Sequence, residues 1–401
     1  MVNYDFLSVY FYSVPNLRFN NDPYKKYNLY EFATRVTRKN KDNVSNLPLT
    51  ISAQYGLVDQ VSFFNKTVAS KDMSGYYLLK NGEFAYNKSY SNDYPWGAIK
   101  RLDLYDMGCL STLYICFKTN DNIVNSNYLA HYFESSKWHK QVADIAGEGA
   151  RNHGLLNIAV NDFFNTKHAV PTIENQIKIA GFLDLIEKHI QTQIKIIELK
   201  QSLIKDIEDR ILWKTTNTQT KPIREFLTEI NNKSIIQNQY PLLSSTKKGL
   251  FLQTDYFNKE AASSNNIGYK IVHKGDIIIS PQNLWMGNIT YNDKFDNGLV
   301  SPSYRIYKVK EEYNAFYISR ILMSYRALSL YKNISEQGAS IVRRNLNVDA
   351  FNELCFPIPN IKKQDEVSLF LSKLHQELKC ETWILMQLKS QKNYLLNNMF
   401  I

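Results

Sequence analysis

Apolar residues recur along this chain with two periods, and each predicts a different element. Between 171 and 215, Leu183, Ile190, Ile197, Ile204 and Ile211 fall every seven residues. Between 357 and 401, Leu371, Leu374, Leu378, Leu385, Leu388, Leu395 and Met399 follow steps of three and four, interrupted only by Glu381 and Lys392. Such spacing lays apolar side chains along one stripe of a helix and predicts a coiled-coil seam. Pro171 precedes the first run and Pro357 and Pro359 the second, where a fixed φ suits helix entry. At 1.5 Å per residue, a helix of about 40 residues reaches roughly 60 Å. Elsewhere the pattern is short and β-branched, as in 111–117 (STLYICF) and 269–280 (YKIVHKGDIIIS), and predicts strands bounded by Gly, Asn and Pro. Helical patches are expected over 128–145 and 315–331.

These elements occur twice. Glu31-Phe32 returns as Glu225-Phe226, Pro48-Leu49 with Gly56-Leu57 as Pro241-Leu242 with Gly249-Leu250, and Gly82-Glu83 as Gly275-Asp276. Gly108, Ser111, Tyr114 and Lys118 match Gly298, Ser301, Tyr304 and Lys308, and Gly149-Ala150 matches Gly338-Ala339. Asn157, Val160, Phe163, Pro171, Ile173, Gln176, Phe182 and Leu183 match Asn345, Val348, Phe351, Pro359, Ile361, Gln364, Phe370 and Leu371. The offset drifts only from 194 to 188 while the order is kept. A period this long means two domains of one type rather than a solenoid. The division expected is a first domain over 1–170, a helix over 171–215, a second domain over 216–356 and a last helix over 357–401. One such helix could equally be an ordinary amphipathic helix inside a domain. Two of them, each closing a copy, favour a paired spacer.

Composition bounds this picture. At 401 residues, 44% hydrophobic and 21% charged, the chain has room for two or three domains with proper cores. No apolar run of membrane-spanning length occurs, and the aromatic start, with Asp5 and no basic cluster, reads poorly as a signal peptide. Cys109, Cys116, Cys355 and Cys380 form no CxxC pair, which points to a reducing, cytoplasmic setting and away from structural zinc. The net charge of +10 divides as +3 over 1–170, zero over 171–215, +5 over 216–356 and +2 over 357–401. The excess sits mainly in the globular parts and is compatible with a polyanion partner.

Catalytic signatures are missing. There is no GxxxxGK[ST], GxGxxG after a strand, HExxH or GxSxG, and the seven histidines do not pair at ligand spacing. Asn21-Asp22-Pro23-Tyr24 only faintly resembles the Asn-Pro-Pro-aromatic loop of DNA amino-methyltransferases, and no cofactor loop precedes it; we read it as coincidence. No metal site and no catalytic residue are expected. Binding chemistry is present instead. Reading base edges takes amides, Arg or Lys, and aromatics that pack on sugars or bases. Two loops at equivalent places supply them. One follows 84–86 and holds Lys88, Ser89, Tyr90 and Trp96, then Lys100 and Arg101; the other follows 277–279 and holds Gln282, Asn283, Trp285 and Asn288. Their flanking strands agree while their letters differ, as two readers of two targets would, although unselected loops also drift. A second pair of candidates is Arg151-Asn152 and Arg343-Arg344, and a third is Gln54-Tyr55 and Lys247-Lys248. Any of these lysines could instead be a solvated surface charge.

Two variable domains, each ending in a proline-led stretch with a glutamine and a long helix (170–176, VPTIENQ; 358–364, IPNIKKQ), resemble the specificity subunit of type I restriction–modification enzymes. Val14-Pro15-Asn16-Leu17-Arg18-Phe19, the Gly82-Glu83 and Gly275-Asp276 pairs, and the Leu-Leu-Asn-Asn-Met-Phe tail at 395–400 fit as well. The resemblance covers essentially the whole chain. It implies an α/β (α+β) fold of two target-recognition domains joined by a long antiparallel helix pair with pseudo-twofold symmetry. It also implies that each domain reads one half of a split, asymmetric double-stranded DNA site. Two methyltransferase subunits would dock on the helices and methylate adenine with S-adenosylmethionine, and restriction subunits would add ATP- and Mg-dependent translocation and cleavage. This chain would hold no cofactor. Gln193, Lys200 and the bulky Trp383 depart from a clean seam. The rival readings are a non-enzymatic coiled-coil adaptor joining two protein-binding domains, and a methyltransferase–specificity fusion, which the missing cofactor motif opposes.

Overall fold

The computed structural model describes residues 24–52, 55–66, 68–91, 94–147, 154–215, 217–247, 249–256, 265–337 and 344–400. The chain forms two compact units, Met1–Gln193 with Ile384–Ile401 and Ile194–Trp383. Packing therefore groups each globular part with the beginning of one long helix and the end of the other, cutting across a division made along the chain.

In the first unit the first described strand, Lys25–Asn28, is the antiparallel neighbour of Lys167–Val170. Between them lies a four-stranded antiparallel sheet ordered Ala33–Arg35, Ile115–Thr119, Phe84–Asn87, Ala98–Arg101. Two further antiparallel pairs, Leu49–Ser52 with Gly56–Asp59 and Tyr77–Lys80 with Met107–Leu110, complete the β part. The core is aromatic: Phe84 stacks on Phe117 at 5.2 Å and Tyr86 on Phe163 at 5.0 Å, with Phe133 and Trp138 closing over them. Each such ring contributes on the order of 2–3 kcal/mol by burial.

The second unit repeats this plan. Thr218–Pro222 pairs with Cys355–Pro359, and the four-stranded order is Leu227–Ile230, Arg305–Val309, Ile277–Ile279, Ile289–Tyr291. Its core replaces much of the aromatic stacking with Ile277, Ile279, Ile318 and Ile321 beneath Tyr317, Tyr331 and Phe351. Every ladder among the named strands is antiparallel, so the α+β form of the expected class is the one observed.

Three local expectations are corrected. The β-rich run 111–117 is strand only in its second half: Tyr114 N donates to Ser111 O at 3.2 Å, making a turn between Met107–Leu110 and Ile115–Thr119. The 269–280 run splits at Gly275 (φ 94°) into Lys270–His273 and Ile277–Ile279, which join different sheets. The helical patches each break in two at equivalent serines. Ser135 Oγ donates to Tyr132 O at 2.6 Å and Ser324 Oγ to Ile321 O at 2.7 Å, capping back one helix before the next starts.

The internal alignment also shifts by one residue at one place. Leu49 opens its hairpin opposite Asp59, and the residue opening the equivalent hairpin is Leu243, opposite Leu252, not Leu242. The equivalence rests on close packing. A Cβ on Gly108 would lie 2.5 Å from Leu49 Cδ1, and one on Gly298 would lie 2.1 Å from Leu243 Cδ1. Only glycine leaves room for those leucines.

The long helices run Ile173–Trp213 and Ile361–Met399. Their starts are bolted to the domains by the repeated glutamines. Gln176, 1% exposed, donates to Pro171 O at 2.9 Å and Ile123 O at 3.1 Å and accepts from Asn125 N at 2.7 Å. Gln364 donates to Pro359 O at 2.8 Å and accepts from Asn314 N at 2.9 Å. Leu183, Ile190, Ile197 and Ile204 are buried along the first seam, as are Leu371, Leu395 and Met399 along the second. The polar interruptions cross between the helices: Lys392 meets Glu187 at 2.6 Å in the first unit, and Lys200 meets Glu381 at 2.8 Å in the second. Within the second unit Glu208 meets His375 at 2.7 Å, so the partner number rises as the first falls and the helices are antiparallel. Glu208 also accepts both arms of Arg320, at 2.7 and 2.8 Å, locking the domain onto the pair. Trp383 is 48% exposed and so does not interrupt the seam. No helix among the described residues is long and apolar enough to cross a membrane.

Candidate nucleic-acid interface

The strand Ile277–Ile279 runs into a tight loop whose letters explain its shape. Leu284, fully buried, anchors the short turn Leu284–Met286, and Gly287 (φ 88°) adopts a backbone that suits only glycine well. Asn288 N donates to Asn283 O and Ser280 N to Asn288 O, both at 3.1 Å, closing the loop. With Leu284 turned in, Gln282 is exposed and Asn283 and Trp285 half-exposed. Downstream, Arg344–Leu346 pairs with Ser335–Gln337. Arg344 N donates to Gln282 O at 3.2 Å, and its guanidinium lies over the Trp285 ring, 4.4 Å from the centroid.

In the first unit the same meeting occurs with other residues. After Phe84–Asn87, Leu156 N donates to Lys88 O at 2.9 Å and Tyr90 N to Gly154 O at 3.0 Å, with Ser89 bridging Leu155. Tyr86 OH donates to Trp96 O at 2.8 Å and ties the far side of the loop to the core. Ser89 and Tyr90 are exposed, the latter by 42%, while Lys88 is half-buried and reaches Ile158 O at 3.4 Å.

The structure thus brings the loop against the downstream segment in both units: in the second the candidates Gln282 and Trp285 meet the candidate Arg344, and in the first the candidates Lys88, Ser89 and Tyr90 meet Gly154, Leu155 and Leu156. That contact was invisible to spacing, since Lys88 and Leu156 lie far apart in sequence. In the second unit the hairpin itself, though not its candidate lysines, is tied to the loop: Ser245 Oγ donates to Asn288 Oδ1 at 3.0 Å, and Asn288 Nδ2 donates to Ser245 O at 3.3 Å. Lys247, two residues on, is exposed at the hairpin turn, as is Tyr55 (67%) in the first unit. Ser245 and Thr290, which hydrogen-bond at 2.9 Å beneath this junction, were not anticipated. Small buried hydroxyls carry no periodic signal.

Three candidates are spent inside the fold and are corrected as readers. Lys100, 8% exposed, is ion-paired with Glu134. Arg101 binds Asp103 at 2.6 Å, Asn127 Oδ1 at 2.7 Å and Ser126 Oγ at 2.9 Å. Asn288, 8% exposed, braces the hairpin. Gln54, Arg151, Asn152, Lys248 and Arg343 lie outside the described residues, as do the 14–19 and 21–23 segments and the two Gly-Ala landmarks. Among the described residues no group of three His, Cys, Asp or Glu side chains is placed to hold a metal ion.

No family model and no curated protein matches this sequence. Solved structures do. One, described as the structural basis of complex assembly and conformational transition of a type I restriction–modification system, has a TM-score of 0.58 at 12% identity, covering 93% of this chain and 96% of that one. The type I restriction–modification S subunit from M. genitalium has a TM-score of 0.52 at 14% identity, covering 97% and 99%. The fold of this chain is the fold of these structures, shared along nearly its whole length.

Proposed function

We propose that this chain is the DNA-specificity subunit of a type I restriction–modification assembly, reading a split, asymmetric duplex site and doing no chemistry of its own. The observation that carries the reading is the twice-built loop and downstream segment: one scaffold presents Ser89 and Tyr90 in one unit and Gln282, Trp285 and Arg344 in the other. Shared strands give both loops the same placement, and different side chains give each its own target. Partner methyltransferase subunits would methylate adenine with S-adenosylmethionine, docked on the long helices. Restriction subunits would supply ATP- and Mg-dependent translocation and cleavage. The assembly would work in the cytoplasm.

Linking two readers in one chain makes the second binding event intramolecular, so two weak half-site contacts become one specific contact. Duplex affinity of the chain with a methyltransferase subunit should fall steeply with salt, because phosphate contacts release counterions. Fluorescence anisotropy over a salt series measures this. A flat dependence would favour the protein-adaptor reading instead.

A further inference from the structure

We infer that Arg344 reads a guanine in the half-site belonging to the second unit, and that Trp285 is the residue that positions it; the inference rests on the DNA-reading function proposed above. Three observations converge. The Arg344 guanidinium sits over the Trp285 indole at 4.4 Å from the ring centroid. Its backbone N–H is held by Gln282 O at 3.2 Å, so the base of the side chain is fixed to the exposed loop. No carboxylate pairs with it among the described residues, whereas Arg101, Arg224, Arg305, Arg320 and Arg326 all hold one.

The chemistry follows from which parts of the group are used. Stacking occupies the face of a guanidinium and leaves the in-plane N–H donors for hydrogen bonding. Arg344 Nε is buried without a partner, so the two terminal nitrogens form the outward end. A planar fork matches O6 and N7 of guanine in the major groove, the commonest specific base contact, and the rigid geometry that makes it bidentate is not shared by lysine. Phosphate would be served equally well by a charge on a flexible stem, which exposed Lys247 already offers. An arginine immobilised against an indole, with a buried donor left unsatisfied, makes sense where the direction of the fork matters. Gln282, exposed beside it, supplies an amide of the kind that reads an adjacent adenine.

The test is the methylated motif of the full complex, read by single-molecule sequencing for wild type, R344A, R344K, W285A and W285F. The half-site of the second unit is the half that stays when the first unit is exchanged. It should contain a G·C pair. R344A and R344K should both lower preference at that pair by roughly 5- to 150-fold, the range of one bidentate contact, and leave the other half unchanged. W285A should give the same position-limited loss, and W285F, which keeps a ring, should restore most of it. A uniform loss across all sequences in R344A, restored by R344K, would make Arg344 a phosphate contact and overturn the inference. So would a half-site lacking G·C, or a motif untouched by R344A. A wild-type complex methylating no split motif would instead overturn the function on which the inference rests.

Discussion

His168 shows how the two units diverge at a single equivalent position. It pairs across the ladder with Tyr27 as Phe356 pairs with Lys221. Both are buried, but the imidazole takes Tyr132 OH on Nδ1 at 2.9 Å and Thr166 Oγ on Nε2 at 2.8 Å. Burial pushes its pKa down from 6.5 to about 4. The unfolded chain then binds a proton that the folded unit refuses, so stability is complete above pH 6.5 and is lost as pH falls toward 4. The shift corresponds to a loss on the order of 3 kcal/mol across that window. Replacing His168 with phenylalanine, as in the second unit, should flatten this part of the pH dependence, even if losing the two hydroxyl contacts lowers stability at pH 8. Native-state hydrogen exchange resolved by peptide, and referenced to intrinsic rates, would measure it. An equally steep decline in His168→Phe would place the acid sensitivity elsewhere, with His131 next in line, since burial lowers its pKa against the opposing pull of Asp184.

At the scale of elements, what was legible in the sequence was what a local period can encode. A helix sets its own geometry, so the seven-residue spacing from Leu183 to Ile204 foretold a buried seam that the structure contains. Even the faults in the pattern were informative, because Glu381 and Lys392 turned out to be halves of interhelical ion pairs. Strand partners are set by distant residues. That is why the β-rich runs 111–117 and 269–280 could not be divided into their strands and turns, why Leu49 was aligned one residue out, and why the contact of Lys88 with Leu156 left no trace. The helix pair itself yields a prediction. Inserting four residues into each long helix, after Gln193 and after Trp383 where the units divide, adds about 6 Å. This continues the steps of three and four, and both ion pairs survive because each lies within one unit. Against a rise of 3.4 Å per base pair, the methylated motif should keep both half-sites and gain one or two base pairs of gap. An unchanged gap in the methylome would show that the helices do not set the spacing.

For the whole molecule, the decisive question is whether two units built alike act separately. The structure defines where a unit can be exchanged. Among the described residues the first globular part begins and ends on the adjacent strands Lys25–Asn28 and Lys167–Val170, so a foreign domain can be joined there at one place. It also shows what must travel with it. Phe400 packs on Tyr128 at 5.3 Å and Tyr132 at 5.7 Å, and Leu395, Leu396 and Met399 are buried in the same unit. A graft lacking residues 384–400, or a matching pair of tyrosines, would leave an apolar helix end uncovered and fail for reasons unrelated to recognition. With that segment included, exchange of residues 30–170 for the corresponding domain of a similar protein should replace one half of the methylated motif and leave the other unaltered. The physical ground is that Gln282, Trp285 and Arg344 hold one another, and all three belong to the second unit. If both halves changed together, reading would be a joint property of the molecule, and the two dissimilar loops would have to be understood as one surface rather than two.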